Sequence, residues 1–181
     1  MEKILLLGRR RSGRSSMIRA LLRDAEVPVY GYETVTMGTR PDGYHEIYLY
    51  PYGQTQHEKC EENNVGDCNT RERVIYSQVF DTLGTSCLTV KKDGILVMDE
   101  IGFMESEVKA FCRAVLNCLD GPLPVLAAVR TGIETPFLRE VIRHPNVRCY
   151  ALSPDSFDER YRELRPIVQS WDSRLRRGDS L

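Results

Sequence analysis

A chain of 181 residues, 41% apolar and 28% charged, has the size and composition of one soluble globular domain that buries a core without disulfide or metal staples, which excludes disordered and fibrous architectures. Its net charge of −1 gives the molecule as a whole no strong nucleic-acid signal and no attraction to an anionic membrane. No apolar run approaches the roughly 20 residues that a membrane helix needs, and no basic-then-apolar leader opens the sequence, so one cytoplasmic domain over 1–181 is expected. The charge is unevenly spread: residues 1–23 hold seven Lys or Arg against one Glu, which predicts an anionic ligand near the N-terminus. The six cysteines form no C-x-x-C pair and read as reduced thiols.

Lys3 to Leu7 (KILLL) is a short apolar run closed by glycine, which predicts a strand buried on both faces of a parallel sheet. Ser15 to Arg23 predicts a helix with Met17, Ile18, Leu21 and Leu22 on one face. Val29 to Met37 and Glu46 to Tyr50 are rich in β-formers and separated by Pro41, Asp42 and Gly43, which predicts a hairpin. With the polar, irregular stretch 51–70, this hairpin makes an insertion over 29–70 able to cover a site. Arg71 to Leu88 predicts a helix, with Val74, Ile75, Gln78, Val79 and Leu83 on one face. Gly94 to Met98 predicts a strand, Glu105 to Leu119 a helix stopped by Gly121 and Pro122, and Pro124 to Val129 another strand. A helix at Thr135 to Arg143, a strand at Val147 to Leu152 and a last helix from Asp155 to about Trp171 complete the chain. Such alternation implies an α/β fold with a mostly parallel sheet flanked by helices, and ligand sites at the carboxyl ends of the strands.

Gly8 to Ser15, G-R-R-R-S-G-R-S, fits the phosphate-loop pattern G-x-x-x-x-G-K-[ST] at every fixed position except the lysine, where Arg14 stands. The strand before it and the helix after it supply the required context. Glycines allow left-handed turns that aim successive N–H groups at a phosphate, and the helix N-terminus adds partial positive charge. Candidate nucleotide-binding residues are therefore Gly8, Arg9, Arg10, Arg11, Ser12, Gly13, Arg14, Ser15 and Ser16, with Ser15 as a ligand of Mg²⁺. Arg14 keeps a positive charge near the β and γ phosphates, although its planar fork differs from an ammonium. Ile95 to Glu100 delivers Asp99 and then Glu100 at the carboxyl end of a buried strand. In phosphate-loop enzymes the strand-end aspartate holds the metal, and a carboxylate beside it orients the attacking water. Arg130 follows the strand Pro124 to Val129, where a cation can stabilise transferred-phosphate charge, though solvated arginines at strand ends are common. Phe157 could stack on a nucleobase, while an aromatic opening an amphipathic helix is more often core. His57, Cys60 and Cys68 share one polar loop but form no recognised zinc spacing.

Gly8 to Ser16, G-Y-E-T-V at Gly31 to Val35, D-E-I-G-F-M-E at Asp99 to Glu105 and P-V-L-A-A-V at Pro124 to Val129 together resemble the small P-loop nucleoside-triphosphatases of the cancer-related NTPase type. P-F-L-R-E-V at Pro136 to Val141 and L-S-P-D at Leu152 to Asp155 extend the likeness over nearly the whole chain. The resemblance implies a RecA-like core that binds ATP or GTP with Mg²⁺ and hydrolyses it slowly to the diphosphate and phosphate. Three positions depart from the family pattern. Arg14 replaces the loop lysine, Phe103 replaces the lysine after D-E-I-G, and Ser156-Phe157 replaces Asn-Arg. Two other functions share these motifs: a nucleotide-binding regulatory module without turnover, and a small-molecule kinase. The protein partner is not legible.

Overall fold

The structure, a computed structural model, describes residues 2–69, 71–89 and 93–178. In chain order its elements are β1 (Lys3–Gly8), α1 (Arg14–Leu22), β2 (Val29–Met37), β3 (His45–Pro51), β4 (Asn64–Cys68), β5 (Arg73–Ile75), a helix over 77–87 (α2), β6 (Ile95–Ile101), α3 (Lys109–Asp120), β7 (Val125–Arg130), α4 (Pro136–Ile142), β8 (Val147–Ala151) and α5 (Phe157–Arg177). The strands form one sheet in the order β5-β4-β3-β2-β6-β7-β1-β8. From β2 through β8 the pairings are parallel, and β3, β4 and β5 continue the sheet antiparallel. This is the α/β architecture that the alternation of elements predicts. β7 separates β1 from β6, and Gly8 lies opposite Arg130, so the carboxyl ends of these three strands meet along one edge.

Side chains alternate across a strand, and here both faces are apolar. Ile4, Leu6, Ile95, Val97, Leu126 and Ala128 pack on one face with Met17, Ile18 and Leu21 of α1 and Leu164, Val168 and Trp171 of α5. Leu5, Leu96, Met98, Val125, Ala127 and Val129 pack on the other with Phe80, Phe111, Val115 and Leu138 from α2, α3 and α4. The last helix runs six residues beyond the predicted Trp171, through Pro166. Asp172 Oδ1 accepts the backbone N–H groups of Glu26 and Val27 at 2.8 and 3.0 Å, and Arg176 pairs with both Asp172 and Glu26, which ties the end of α5 to the segment leading into β2.

The predicted hairpin is present, with Gly43 in its turn at φ 83°. Its first strand is also a member of the parallel core, pairing Val29 with Ile95 through Glu33 with Asp99, so the hairpin is rooted in the sheet. Three local readings need correction. The polar stretch 51–70 contains β4, paired antiparallel to β3. Residues 73–75 add to β4 as an edge strand instead of starting a helix, which leaves Val74 and Ile75 exposed; a short apolar run does not distinguish the two periods. The helix predicted from Glu105 begins only at Lys109, because the Glu105 side chain turns back to accept the Gly102 N–H. Within α2, Phe80–Gly84 form a π-helical turn, and Gly84 lets the Phe111 ring approach to 2.8 Å from where a Cβ would stand.

Gly31 shows how tightly β2 is held against the acidic strand. It adopts φ +109°, and a Cβ there would lie 1.8 Å from the carbonyl oxygen of Val97. Gly31→Ala should therefore cost about 2–4 kcal/mol of stability, through both backbone strain and forced separation of β2 from β6. The denaturant midpoint measures this, and an unchanged midpoint would show that the close approach is not needed.

Candidate functional site

The glycine-rich segment leaves β1 at Gly8 and turns at once: Ser12 N–H donates to the Arg9 carbonyl at 3.2 Å. A Cβ on Gly8 would stand 2.2 Å from Ser12 Oγ, so only glycine lets the loop fold back over the strand end. Arg11 at φ 64° and Gly13 at φ 90° place two left-handed residues in the loop, a backbone form that gathers N–H groups into an anion-binding concavity. Gly13 caps α1 without a side-chain hydrogen bond, and Gly13, Arg14, Ser15 and Ser16 line the adjoining cleft. The first turn thus offers its donors there.

Consecutive strand residues ordinarily face opposite sides of a sheet, yet Asp99 and Glu100 line the same cleft. The register between β6 and β7 passes from Asp99 opposite Ala128 to Ile101 opposite Val129, leaving Glu100 as an extra residue in a bulge that re-aims its side chain. β2 grips the pair from the other side. Thr34 Oγ1 donates to the Asp99 carbonyl and accepts the Glu100 N–H at 3.3 and 3.2 Å, and Tyr32 O–H donates to the Glu100 carbonyl at 3.3 Å.

Each acid then meets a loop residue. Ser15 Oγ donates to Asp99 Oδ1 at 2.9 Å, and Arg14 Nη2 donates to Glu100 Oε2 at 2.8 Å and to the Arg9 carbonyl at 3.4 Å. Arg130 Nη1 stands 3.6 Å from Glu100 Oε1, so the Glu100 carboxylate lies between two guanidiniums. Arg14 is only 6% exposed, and its Nη1 is buried without a hydrogen-bond partner, as is Ser12 Oγ. Burial pushes the Asp99 carboxyl up to about 6 against the opposing pull of the Ser15 hydrogen bond.

These groups surround a cleft of about 290 Å³. Of the residues singled out in the sequence, Arg10, Arg11, Ser12, Gly13, Arg14, Ser15, Ser16, Asp99, Glu100 and Arg130 line it together. Gly8 and Arg9 shape the loop behind that lining. Phe157 packs its ring against Gly13 and the cluster beneath α1, beside the cleft instead of in its wall. His57 stacks on Tyr50 and stands 3.6 Å from Glu33; Cys60 and Cys68, like the other four cysteines, are free thiols.

The structure adds Thr34, Phe103 and Glu105 to the wall. Phe103 has the Arg73 and Arg130 guanidiniums 4.5 and 5.5 Å from its ring centre. Glu105 is 2% exposed, and burial pushes its carboxyl up to about 7. Thr34 and Glu105 stand inside the quoted motifs; Thr34 meets the acids of a strand distant in sequence, whereas Glu105 turns back to Gly102 three residues away.

Among the described residues no helix is long and apolar enough to cross a membrane. No curated protein matches the chain. In fold it is similar to the crystal structure of THEP1 from the hyperthermophile Aquifex aeolicus, with a TM-score of 0.70 and 19% identity over 92% of this chain and 99% of that one. It is also similar to the solution structure of a human cancer-related nucleoside triphosphatase, with a TM-score of 0.64 and 20% identity over 94% of this chain and 98% of that one. The sequence profile of the family described as NTPase matches residues 3–164, a span that includes both the glycine-rich loop and the acidic strand, and the chain belongs to this NTPase family.

Proposed function

We propose that the protein binds ATP or GTP with Mg²⁺ in this cleft and hydrolyses it slowly to the diphosphate and phosphate. The observation that carries the reading is the double contact of neighbouring loop residues with neighbouring acids, Arg14 with Glu100 and Ser15 with Asp99. A hydroxyl and a carboxylate oxygen 2.9 Å apart make a donor set of the kind a hard divalent cation prefers. Ser15 and Asp99 would hold Mg²⁺, which when bound neutralises phosphate charge and polarises the terminal phosphoryl group.

The remaining work falls to the chain itself. Backbone N–H groups from Gly13 to Ser16 bind the phosphate oxygens, and Arg14, whose buried Nη1 lacks a partner, supplies charge-assisted hydrogen bonds to them. Arg130 adds a second cation on the far side of Glu100. Glu100 orients the attacking water and takes its proton as the bond to the γ-phosphorus forms and the bond to the bridging oxygen breaks. Glu105 fixes the turn after the acid pair by accepting the Gly102 N–H, and so acts as a positioning residue.

Glu100→Gln should slow phosphate release under saturating nucleotide by about 10² to 10⁴, the usual loss for a general base. Asp99→Asn should instead abolish most of the extra thermal stabilisation that Mg²⁺ adds to bound nucleotide. Equal turnover in wild type and Glu100→Gln would remove the hydrolytic role and leave the binding module standing; no nucleotide-induced shift in melting temperature at millimolar concentration would remove both.

The buried Glu105 also predicts a pH dependence. Its folded value of about 7 lies above its ordinary 4.5, so the folded state holds the proton more tightly than the unfolded chain. The contribution to stability is full below about pH 4.5 and is lost as the pH rises through about 7, with an amplitude on the order of 3 kcal/mol. Glu105→Gln should flatten this part of the stability curve in denaturant titrations from pH 4 to 8. An unchanged slope would show that the carboxyl is not held in its buried place.

A further inference from the structure

Glu100 is more than a carboxylate close to the phosphate loop. It lies between the two cations of the cleft, 2.8 Å from Arg14 Nη2 and 3.6 Å from Arg130 Nη1. Arg14 is 6% exposed, and a guanidinium so buried does not give up one anion without gaining another. The carboxylate satisfies only one of its terminal nitrogens, since Nη1 has no partner. A terminal phosphoryl group, with three oxygens and more charge, can take both nitrogens at once, as a carboxylate here does not.

We propose that Glu100 is an internal stand-in for the terminal phosphate, seated on Arg14 and Arg130, and that displacing it sets the discrimination between nucleoside triphosphates and diphosphates. The inference rests on the nucleotide-site reading above and deepens it. A triphosphate reaches Arg14 with its terminal group and must break the Arg14–Glu100 pair, so part of its binding energy is used against an existing contact. A diphosphate is held by the loop backbone and leaves the pair in place. The same exchange readies the chemistry, because Glu100 is released toward an attacking water only when a terminal phosphate has taken over the guanidinium. Arginine at position 14 then has a reason: its fork contacts the carboxylate through one nitrogen while the other, buried, remains without a partner, a division that a lysine ammonium, a single point of charge, does not offer.

The test is calorimetric titration, in Mg²⁺, of wild type, Glu100→Gln and Glu107→Gln with the non-hydrolysable β,γ-methylene analogues of ATP and GTP and with ADP and GDP. Glu107 is an exposed acid seven residues along the chain and outside the cleft wall, so its glutamine variant reports the general effect of removing an acidic side chain. Glu100→Gln should tighten the triphosphate analogue about tenfold while changing the diphosphate less than about twofold, an interaction of the size expected for one coupled buried contact. Glu107→Gln should leave the triphosphate-to-diphosphate ratio within about twofold of wild type, and Glu100→Ala should repeat the Glu100→Gln result. Equal tightening of both nucleotides, no tightening, or the same ratio change in Glu107→Gln would overturn the proposal. Absence of triphosphate binding to wild type is a separate outcome, which would overturn the nucleotide-site reading on which the proposal rests.

Discussion

Two hydrogen bonds, Ser15 to Asp99 and Arg14 to Glu100, join residues 84 and 86 positions apart in the chain, and everything else in the cleft is arranged so that they can form. They require that β1 and β6 end at the same level, which the parallel pairing of each with β7 provides. They require both strands to be immobile, which follows from burial on both faces. They also require two successive acids to point the same way, which a regular strand forbids and the bulge at Glu100 supplies. The phosphate loop is therefore not an independent device. Its charge and hydroxyl are set against a second strand whose position depends on the whole sheet.

The central strands and the helices that flank them are legible from periodicity, because KILLL, ILVM and PVLAAV are apolar on both faces and so can only be interior. The glycine loop and acid pair are legible as well, since their chemistry needs fixed residue types at fixed spacing. What escapes is whatever depends on partners remote in sequence. Asn64 to Cys68 looks like loop because N-V-G-D-C has little strand propensity, and it becomes a strand because β3 presents an edge to pair with. Glu105 is the local exception: it reads as the opening of a helix, but its side chain turns back three residues to the Gly102 N–H, which needs an acceptor. Phe157 was legible as core or as a base-stacking ring, and it lies against Gly13 beneath the loop.

Arg14 and Phe103, which stand where the resemblance implies lysines, share one physical theme. A lysine at either site would be a mobile point charge, whereas this chain places guanidiniums and holds them by contacts: Arg14 by Glu100 and the Arg9 carbonyl, Arg130 by Glu100 and the Phe103 ring, Arg73 by the other contact with that ring. Positive charge in the cleft is thereby directional, fixed by ring planes and hydrogen bonds rather than by tether length alone. Ile47 of β3 and Val65 of β4 line the cleft, and Arg73 of β5 packs on its Phe103 ring, so the antiparallel extension of the sheet contributes to the same cleft that the parallel core builds.

The bulge in β6 separates what the fold needs from what the cleft needs. Met98 and Ile101 belong to the same apolar cluster although three positions apart, which is possible only because Asp99 and Glu100 together fill one step of the strand. Loss of a single codon at Glu100 would restore strict alternation and leave Ile101 on its present side of the sheet. The second acid is thus a one-residue surplus in the architecture, and a lineage could gain or discard it without a reading-frame of side chains being thrown to the wrong face.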